Sequence, residues 1–326
     1  MTSFRRQLWL VLIAAMTLAT ANSVRAETAA EYPSRPVTLI VPFAAGVSAD
    51  LLFRGLADLA SKHLGQPIIV ENKSGGSGTL GVAQMATQKP DGYTLSQIPI
   101  PVFRLPHMQK TTFHPTDSFS FIILVAGYHL GAVVKADGPF KKWQDVIDYA
   151  KANPGKFTYT TIGAATTNGI AMELVMRESG VQMTHVPSKG GGESIAGVLG
   201  GHYNMMVESP AWAPMVQSGD LRLLLMLGSE RHPKYKDAPV LKEVGYTFDF
   251  DSPTGIAGPK GMDPAIMKKI HDAFKAAYDD PKAPEIYDKF EYSRRYMNSE
   301  DYAKLAAKLS ADEKATLEKV GLAKKD

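Results

Sequence analysis

Residues 37–65 read VTLIVPFAAGVSADLLFRGLADLASKHLG. The first seven are mainly apolar and rich in β-branched side chains, the composition of a buried strand. Residues 44–49 are small. From there Leu51, Leu52, Leu56, Leu59, Ala60 and Leu64 follow helical spacing, and Gly65 supplies a stop. A strand that runs through a small-residue loop into an amphipathic helix is one β-loop-α unit, and the unit recurs. IIVEN (68–72) leads through SGGSGTLG into a helical VAQMATQ, and DGYTLSQI follows as a strand after a turn at Pro90-Asp91-Gly92. Further on, a helix over 142–152 precedes the strand KFTYTTIG, the loop AATTN, the helix GIAMELVMRESG, the strand QMTHVPS, the loop KGGGES and the helix IAGVLGG. YNMMVES and RLLLMLGS then read as strands. This alternation predicts an α/β protein with a mostly parallel sheet.

Two extended segments stand apart from the repeats. FSFIILVAGYHLGAVVKAD (119–137) is longer than the usual strand; it is either two strands or one strand passing from a first domain into a second. TFDFDSPTGIAGP (247–259) would bring the chain back. The tail from Asp263 to Leu322 reads as helical throughout, with Ile266, Ile270, Phe274 and Tyr278 on one stripe and its lysines on a solvated face.

The chain has 326 residues, 44% apolar and 21% charged, no cysteine and a formal charge of +3. The absence of cysteine excludes disulfides, thiolate metal sites and a cysteine nucleophile. Arg5 and Arg6 precede an apolar run from Leu8 to Ala21, and Val24-Arg25-Ala26 offers a small-x-small cleavage site. Residues 1–26 therefore read as an export signal cleaved before Glu27, the apolar run being shorter than the roughly 20 residues of a spanning helix. Its removal takes away three arginines and no acid, which leaves 33 basic against 33 acidic residues. A neutral exported chain has no basic face for nucleic acid, and its location argues against a nucleotide cofactor.

Four strand-to-helix junctions are rich in Gly, Ala, Ser and Thr: 44–49, 74–79, 163–168 and 188–194. A helix N-terminus leaves N–H groups unpaired and carries about half a positive charge, so such a junction holds a carboxylate without lysine or arginine. Two per half of the chain, at the C-terminal ends of strands, is where α/β sheets bind ligands. GSGTLG (76–81) matches G-x-G-x-x-G, but the acid a dinucleotide site needs at the end of the next strand is missing; Asp91 sits in a turn. The motif reads as an anion-binding turn. The histidines form no H-E-x-x-H pair, and neither G-x-S-x-G nor S-x-x-K is present. Nothing supports catalysis, a cofactor or a metal, and His185 reads as packed.

YPSRPVTLIVPFAAGVSAD (32–50) resembles the start of the mature extracytoplasmic solute receptors of tripartite tricarboxylate transporters, the TctC or Bug family. The likeness continues in order through GQPIIVENKSGGSGTLG, KPDGYTL, KANPGKFTYTTIG, HVPSKGGGESIAGVLGGHYNMM, SGDLRLLLMLGSERHP and IAGPKGMDP. It implies a periplasmic-binding-protein-like α/β fold: two domains (27–130 with 254–326, and 131–253) around a cleft, joined by two crossing strands. It implies a monomeric periplasmic receptor that captures a small carboxylate and passes it to membrane permease subunits. A carboxylate sensor and an exported enzyme on the same scaffold are the alternatives.

Carried over by position, the ligand site comprises Phe43, Ala45, Gly46, Ser48 and Asp50, then Ser77, Gly78 and Thr79. From the other domain come Gly163, Ala164, Ala165, Thr166, Thr167, Asn168, Ser188, Glu208 and Ser209. The chain departs from the family pattern at Val47 and Ala49, at Ser188 where tyrosine is usual, and at Gly169 where histidine is frequent. Small residues at 188 and 169 suggest a roomier pocket. With Arg104 added from the unusual stretch 99–106, that pocket would suit an aromatic dicarboxylate.

Overall fold

A computed structural model describes residues 28–324 apart from Pro233 and Asp251. The export signal and its cleavage point before Glu27 lie outside the described residues. Residues 28–32 form a short turn in which the Thr28 backbone N–H and hydroxyl both donate to the Glu31 carboxylate, at 3.0 and 2.8 Å. The chain from Pro33 onward is a separate unit that contains two sheets.

The first sheet begins with the predicted repeats. Strand β1 (Val37–Val41) passes into helix α1 (Ser48–Leu64), β2 (Ile68–Asn72) into α2 (Leu80–Ala86), and β3 (Thr94–Ile98) into α3 (Pro101–Met108). Helix α1 ends at Gly65 in the left-handed conformation, φ 82°, a backbone state that costs glycine nothing. It buries Leu52, Phe53 and Leu56 completely, each contributing roughly 1.5–3 kcal/mol. Leu51, expected on that face, is 36% exposed; Phe53 takes its place.

The long segment 119–137 resolves into two strands, β4 (Phe119–Tyr128) and β5 (Gly131–Lys135), which belong to different sheets. The second sheet is completed by β6 (Thr158–Thr161), β7 (Thr184–Pro187), β8 (Met205–Glu208) and β9 (Leu221–Met226). Its helices are α4 (Trp143–Ala152), α5 (Thr167–Ser179), α6 (Gly191–Leu199) and α7 (Ala213–Ser218). Trp143, Phe157, Met172, Val175 and Met205 fill the core between them. The chain then returns through β10 (Ser252–Pro259), helices α8 (Pro264–Asp279) and α9 (Ala283–Lys289), strand β11 (Tyr292–Met297) and α10 (Ser299–Val320).

The first sheet has the order β11-β4-β10-β3-β1-β2 and the second β7-β6-β8-β5-β9. Neither is mostly parallel. The β-loop-α strands run parallel, β1 with β2 and β3, and β6 with β7 and β8. Strands at the crossings run against them: β10 is antiparallel to β3 and β4, and β5 to β8 and β9. A strand that arrives from the other sheet enters without a crossover helix to reverse it. The tail also departs from expectation, because β11 interrupts the helices and pairs antiparallel with β4.

The division expected at 130/131 falls between β4 and β5, and that expected at 253/254 falls inside β10. β10 is buried along its whole length. At its Gly255 a Cβ would lie 2.3 Å from the Ile123 carbonyl oxygen, so the close approach of β10 to β4 requires glycine there.

Candidate functional site

The loops after β1, β2 and β3 face those after β6, β7 and β8 across a cleft of about 320 Å³. The first sheet contributes Phe43, Ser48, Ser77, Gly78 and the turn Pro99–Pro101; the second contributes Ile162, Thr166, Thr167, Asn168, Ser188, Glu208 and Ser209. Three helices aim their N-termini at it, since Val47 to Ala49, Thr166 to Asn168, and Gly190 with Gly191 all line the wall. Helix α5 is capped by its own Thr166, whose hydroxyl accepts the Gly169 N–H at 3.4 Å. Helices α1 and α6 start at Val47 and Gly190 with no side-chain cap, which leaves their first N–H groups for something in the cleft.

The loop before α1 is held from behind. Asp50 accepts the Gly46 N–H (2.8 Å) and an Asn72 amide N–H (2.8 Å), and pairs with Arg54 at 3.0 Å. Asn72 also donates to the Phe43 carbonyl at 3.1 Å. Burial opposes the charge on Asp50, but the hydrogen bonds from Arg54, Gly46 and Asn72 outweigh it and hold the carboxyl below its ordinary range. Asp50 therefore shapes the loop and does not line the cleft; neither do Ala45 and Gly46. In the next loop Gly75, Gly76, Ser77 and Gly78 all have positive φ, from 55° to 132°. Ser77 is the costly member of that run. The Thr79 hydroxyl donates to the Gly76 carbonyl at 2.7 Å, so Thr79 fastens the loop from beneath.

On the opposite wall, Gly163, Ala164 and Ala165 form the turn behind α5 and are absent from the lining. The Thr166 hydroxyl donates to the Gly163 carbonyl at 2.5 Å, and Asn168 is tied to the Val207 carbonyl. Thr167 is buried and lines the cleft, and its hydroxyl has no hydrogen-bond partner among the described residues. Ser188 lies 2.7 Å from Ser194, hydroxyl to hydroxyl. Glu208, at the end of β8, is 2% exposed. Burial pushes its carboxyl up to about 8, against hydrogen bonds from Ser194 and the Ser209 and Ile162 N–H groups.

Two further expectations are corrected. Arg104 does not reach the cleft: its guanidinium is fully buried and forms a fork with Glu313 on α10, at 2.6 and 2.7 Å, with its third bond to the Ala165 carbonyl at 2.9 Å. All three of its nitrogens donate to protein acceptors. Gly169 does not enlarge the pocket either, because a Cβ there would lie 2.5 Å from the Ala164 carbonyl oxygen and 2.6 Å from that of Gly163. The turn before α5 packs on the space that a side chain would need. Ser188, by contrast, does face the cleft. His185 is packed, as expected, between Thr161 and Tyr159.

Several lining residues were not among those named individually from the sequence. Ser252 comes from β10, is 4% exposed, and its hydroxyl has no partner among the described residues. It lies in an extended segment with no motif around it. Lys189, one residue past Ser188, is the cationic side chain of the wall and is exposed. Leu130, Ile100 and Ile162 provide apolar surface.

The two walls touch. The Ser48 and Ser209 hydroxyls are 3.0 Å apart, and Arg104 on α3 reaches the Ala165 carbonyl of the opposite wall. Among the described residues no group of three or more His, Asp or Glu could hold a metal ion, and no helix is long and apolar enough to cross a membrane.

Residues 52–322 match the family described as "Tripartite tricarboxylate transporter family receptor". The chain is 48% identical to a UPF0065 protein in the gbd 5' region of Cupriavidus necator, with 90% of each covered. It is 30% identical to the protein BugT of Bordetella pertussis, over 85% of this chain and 87% of that one. The solved structure of the periplasmic binding protein BugD superposes with a TM-score of 0.84 at 26% identity, covering 90% of this chain and 100% of that chain. With this cleft between two mixed sheets and a match over most of its length, the chain belongs to the receptor family of the tripartite tricarboxylate transporters, a family of solute-binding proteins.

Proposed function

We propose that the chain is exported to the periplasm, is cleaved before Glu27, and as a monomer captures a small di- or tricarboxylate for delivery to the permease subunits of a tripartite transporter. The observation that carries this reading is the convergence of three helix N-termini, two without side-chain caps, on a cleft whose one lining lysine among the described residues, Lys189, is exposed. Backbone N–H groups and hydroxyls are the anion-binding elements there. In this reading the two sheets belong to domains that hinge about the cleft, and the Ser48–Ser209 contact across it supports a closed arrangement.

The energetics suffice. A receptor working near 1 μM needs about 8 kcal/mol, and hydrogen bonds to a charged group contribute roughly 1.5–3 kcal/mol each. Four to six well-aimed donors cover that after ordering costs. A volume of about 320 Å³ is at the low end for small-molecule sites. Phe43, Pro99, Ile100 and Leu130 give the ligand's spine an apolar wall. Since Arg104 and Gly169 do not line the cleft, the apolar wall and the small Ser188 are what bear on aliphatic against aromatic acids.

A thermal-shift series of aliphatic and aromatic mono-, di- and tricarboxylates tests the reading, because a ligand that binds only the folded form raises the melting temperature. At a hundredfold excess over Kd the stabilisation is about 2.7 kcal/mol. No shift with any of these acids would overturn it. Mass spectrometry of the chain from a periplasmic fraction checks the cleavage.

A further inference from the structure

Among the described residues, the acidic side chain that lines the cleft is Glu208. It is buried in a site built for anions, and the charged groups on the elements around it are engaged elsewhere. On α6, Glu193 accepts the Lys189 N–H at 2.9 Å. On α1, Asp50 is closed off by Arg54 and Asn72. On β7, His185 faces the Thr161 hydroxyl at 2.9 Å. On β5, which pairs with β8, Gly131 stands opposite Glu208, and Lys135 lies at the far end. On α5, Glu173 and Arg177 pair with each other at 3.3 Å. Lys189 lines the same cleft from its exposed rim. Glu208 itself receives hydroxyl and backbone donors, with Ser194 at 3.5 Å.

An ionised carboxyl in that position would add a third negative charge to a bound dianion, in a site screened from water. A neutral one would instead offer an O–H to a carboxylate oxygen, a charge-assisted bond roughly twice as strong as a neutral pair. We propose that Glu208 meets the ligand as a neutral carboxylic acid and donates a hydrogen bond from its O–H to one carboxylate of a fully ionised dicarboxylate, the proton staying on Glu208, so that the cleft selects dianionic acids over amino acids. An ammonium group on the ligand would need the opposite state of Glu208. The inference rests on reading the cleft as a carboxylate site, and it names the group that sets the ligand class. The elevated carboxyl of Glu208 is consistent with it.

The test is calorimetric titration of the full mature chain with succinate, adipate and terephthalate at pH 7, 8 and 9. A group titrating near 8 is about nine-tenths protonated at pH 7 and one-tenth at pH 9. The dissociation constant should therefore rise about tenfold between those limits. At pH 8 binding should take up about half a proton, seen as a difference in heat between phosphate and Tris buffers. In E208Q, verified as folded by circular dichroism, the ratio between pH 9 and pH 7 should stay within about twofold and the buffer dependence should vanish. An affinity that is flat or rises with pH in the wild type, or a fall retained in E208Q, overturns the role of Glu208 alone. Binding of none of the three acids at any pH overturns the carboxylate reading as well.

Discussion

Replacing Glu313 with glutamine isolates the buried fork that fastens α10 to α3. Arg104 is fully buried, and two of its nitrogens meet the Glu313 carboxylate at 2.6 and 2.7 Å. Removing the partner's charge leaves a guanidinium without compensation in a site that water does not reach. Breaking such a pair costs about 3–5 kcal/mol; the 10% exposure of the Glu313 side chain and the surviving bond to Ala165 place E313Q near the lower figure. Unfolding entropy of about 2.1 cal/mol/K per residue, over about 300 residues, converts 3 kcal/mol into a Tm lower by about 5 °C. The assay is thermal and urea unfolding followed by circular dichroism, with the exposed pair Lys308–Asp312 broken as a control that should not move the midpoint. A double replacement, R104M with E313L, should recover most of the loss, because apolar packing removes both desolvation costs. A shift in E313Q below 1 °C, or a double variant no better than the single, would refute the reasoning.

Three further outcomes follow from the same geometry. T167V keeps the shape of a buried cleft residue but removes a hydroxyl that has no protein partner among the described residues; affinity for a bound carboxylate should fall about 10- to 150-fold with an unchanged Tm, and unchanged affinity would remove Thr167 from the site. G169A places a Cβ 2.5 Å from the Ala164 carbonyl oxygen, so it should destabilise by about 1–3 kcal/mol and weaken binding, whereas a more stable variant would show that the turn before α5 is free to shift. Asp50 has its carboxyl held below the ordinary range, so its contribution is present above the unfolded value of about 3.9 and is lost as pH falls through the folded one. The stability gap between wild type and D50N, followed by urea unfolding from pH 6 to pH 3, should therefore close toward the acid end; a gap that widens would contradict the assignment.

The β-loop-α units were legible because each one carries its whole signal locally: an apolar strand, small residues, a 3.6-residue stripe and a glycine stop, as in Val37 to Gly65. The convergence of loops followed from the rule that such units present their ligands at strand ends. What stayed hidden depends on partners far along the chain. YSRRYM (292–297) carries no apolar alternation, lies between two helices and becomes strand only by pairing with β4, more than 160 positions earlier in the chain. Arg104 could not be placed because its partner Glu313 is 209 residues away. Within the loops, sequence identified the right segments but not which side each residue shows. Ser77 and Thr79 are two positions apart, and one lines the cleft while the other anchors the turn. That choice is made by the run of positive φ angles at 75–78, which no composition rule encodes.

The two sheets also differ in how their strands are drawn from the chain. All five strands of the second come from one uninterrupted stretch, Gly131 to Met226, whereas the first needs β10 and β11 from Ser252 to Met297 to join β1 to β4. A chain that emerges N-terminus first can complete the later sheet while the earlier one still waits for its central strand. Contacts of long sequence separation form slowly, and an unpaired β3 or β4 edge is an aggregation hazard during the delay. The cleft therefore depends on both kinds of element: its second wall is built on strands local in the chain, whereas Ser252 reaches it only when β10 pairs between β3 and β4.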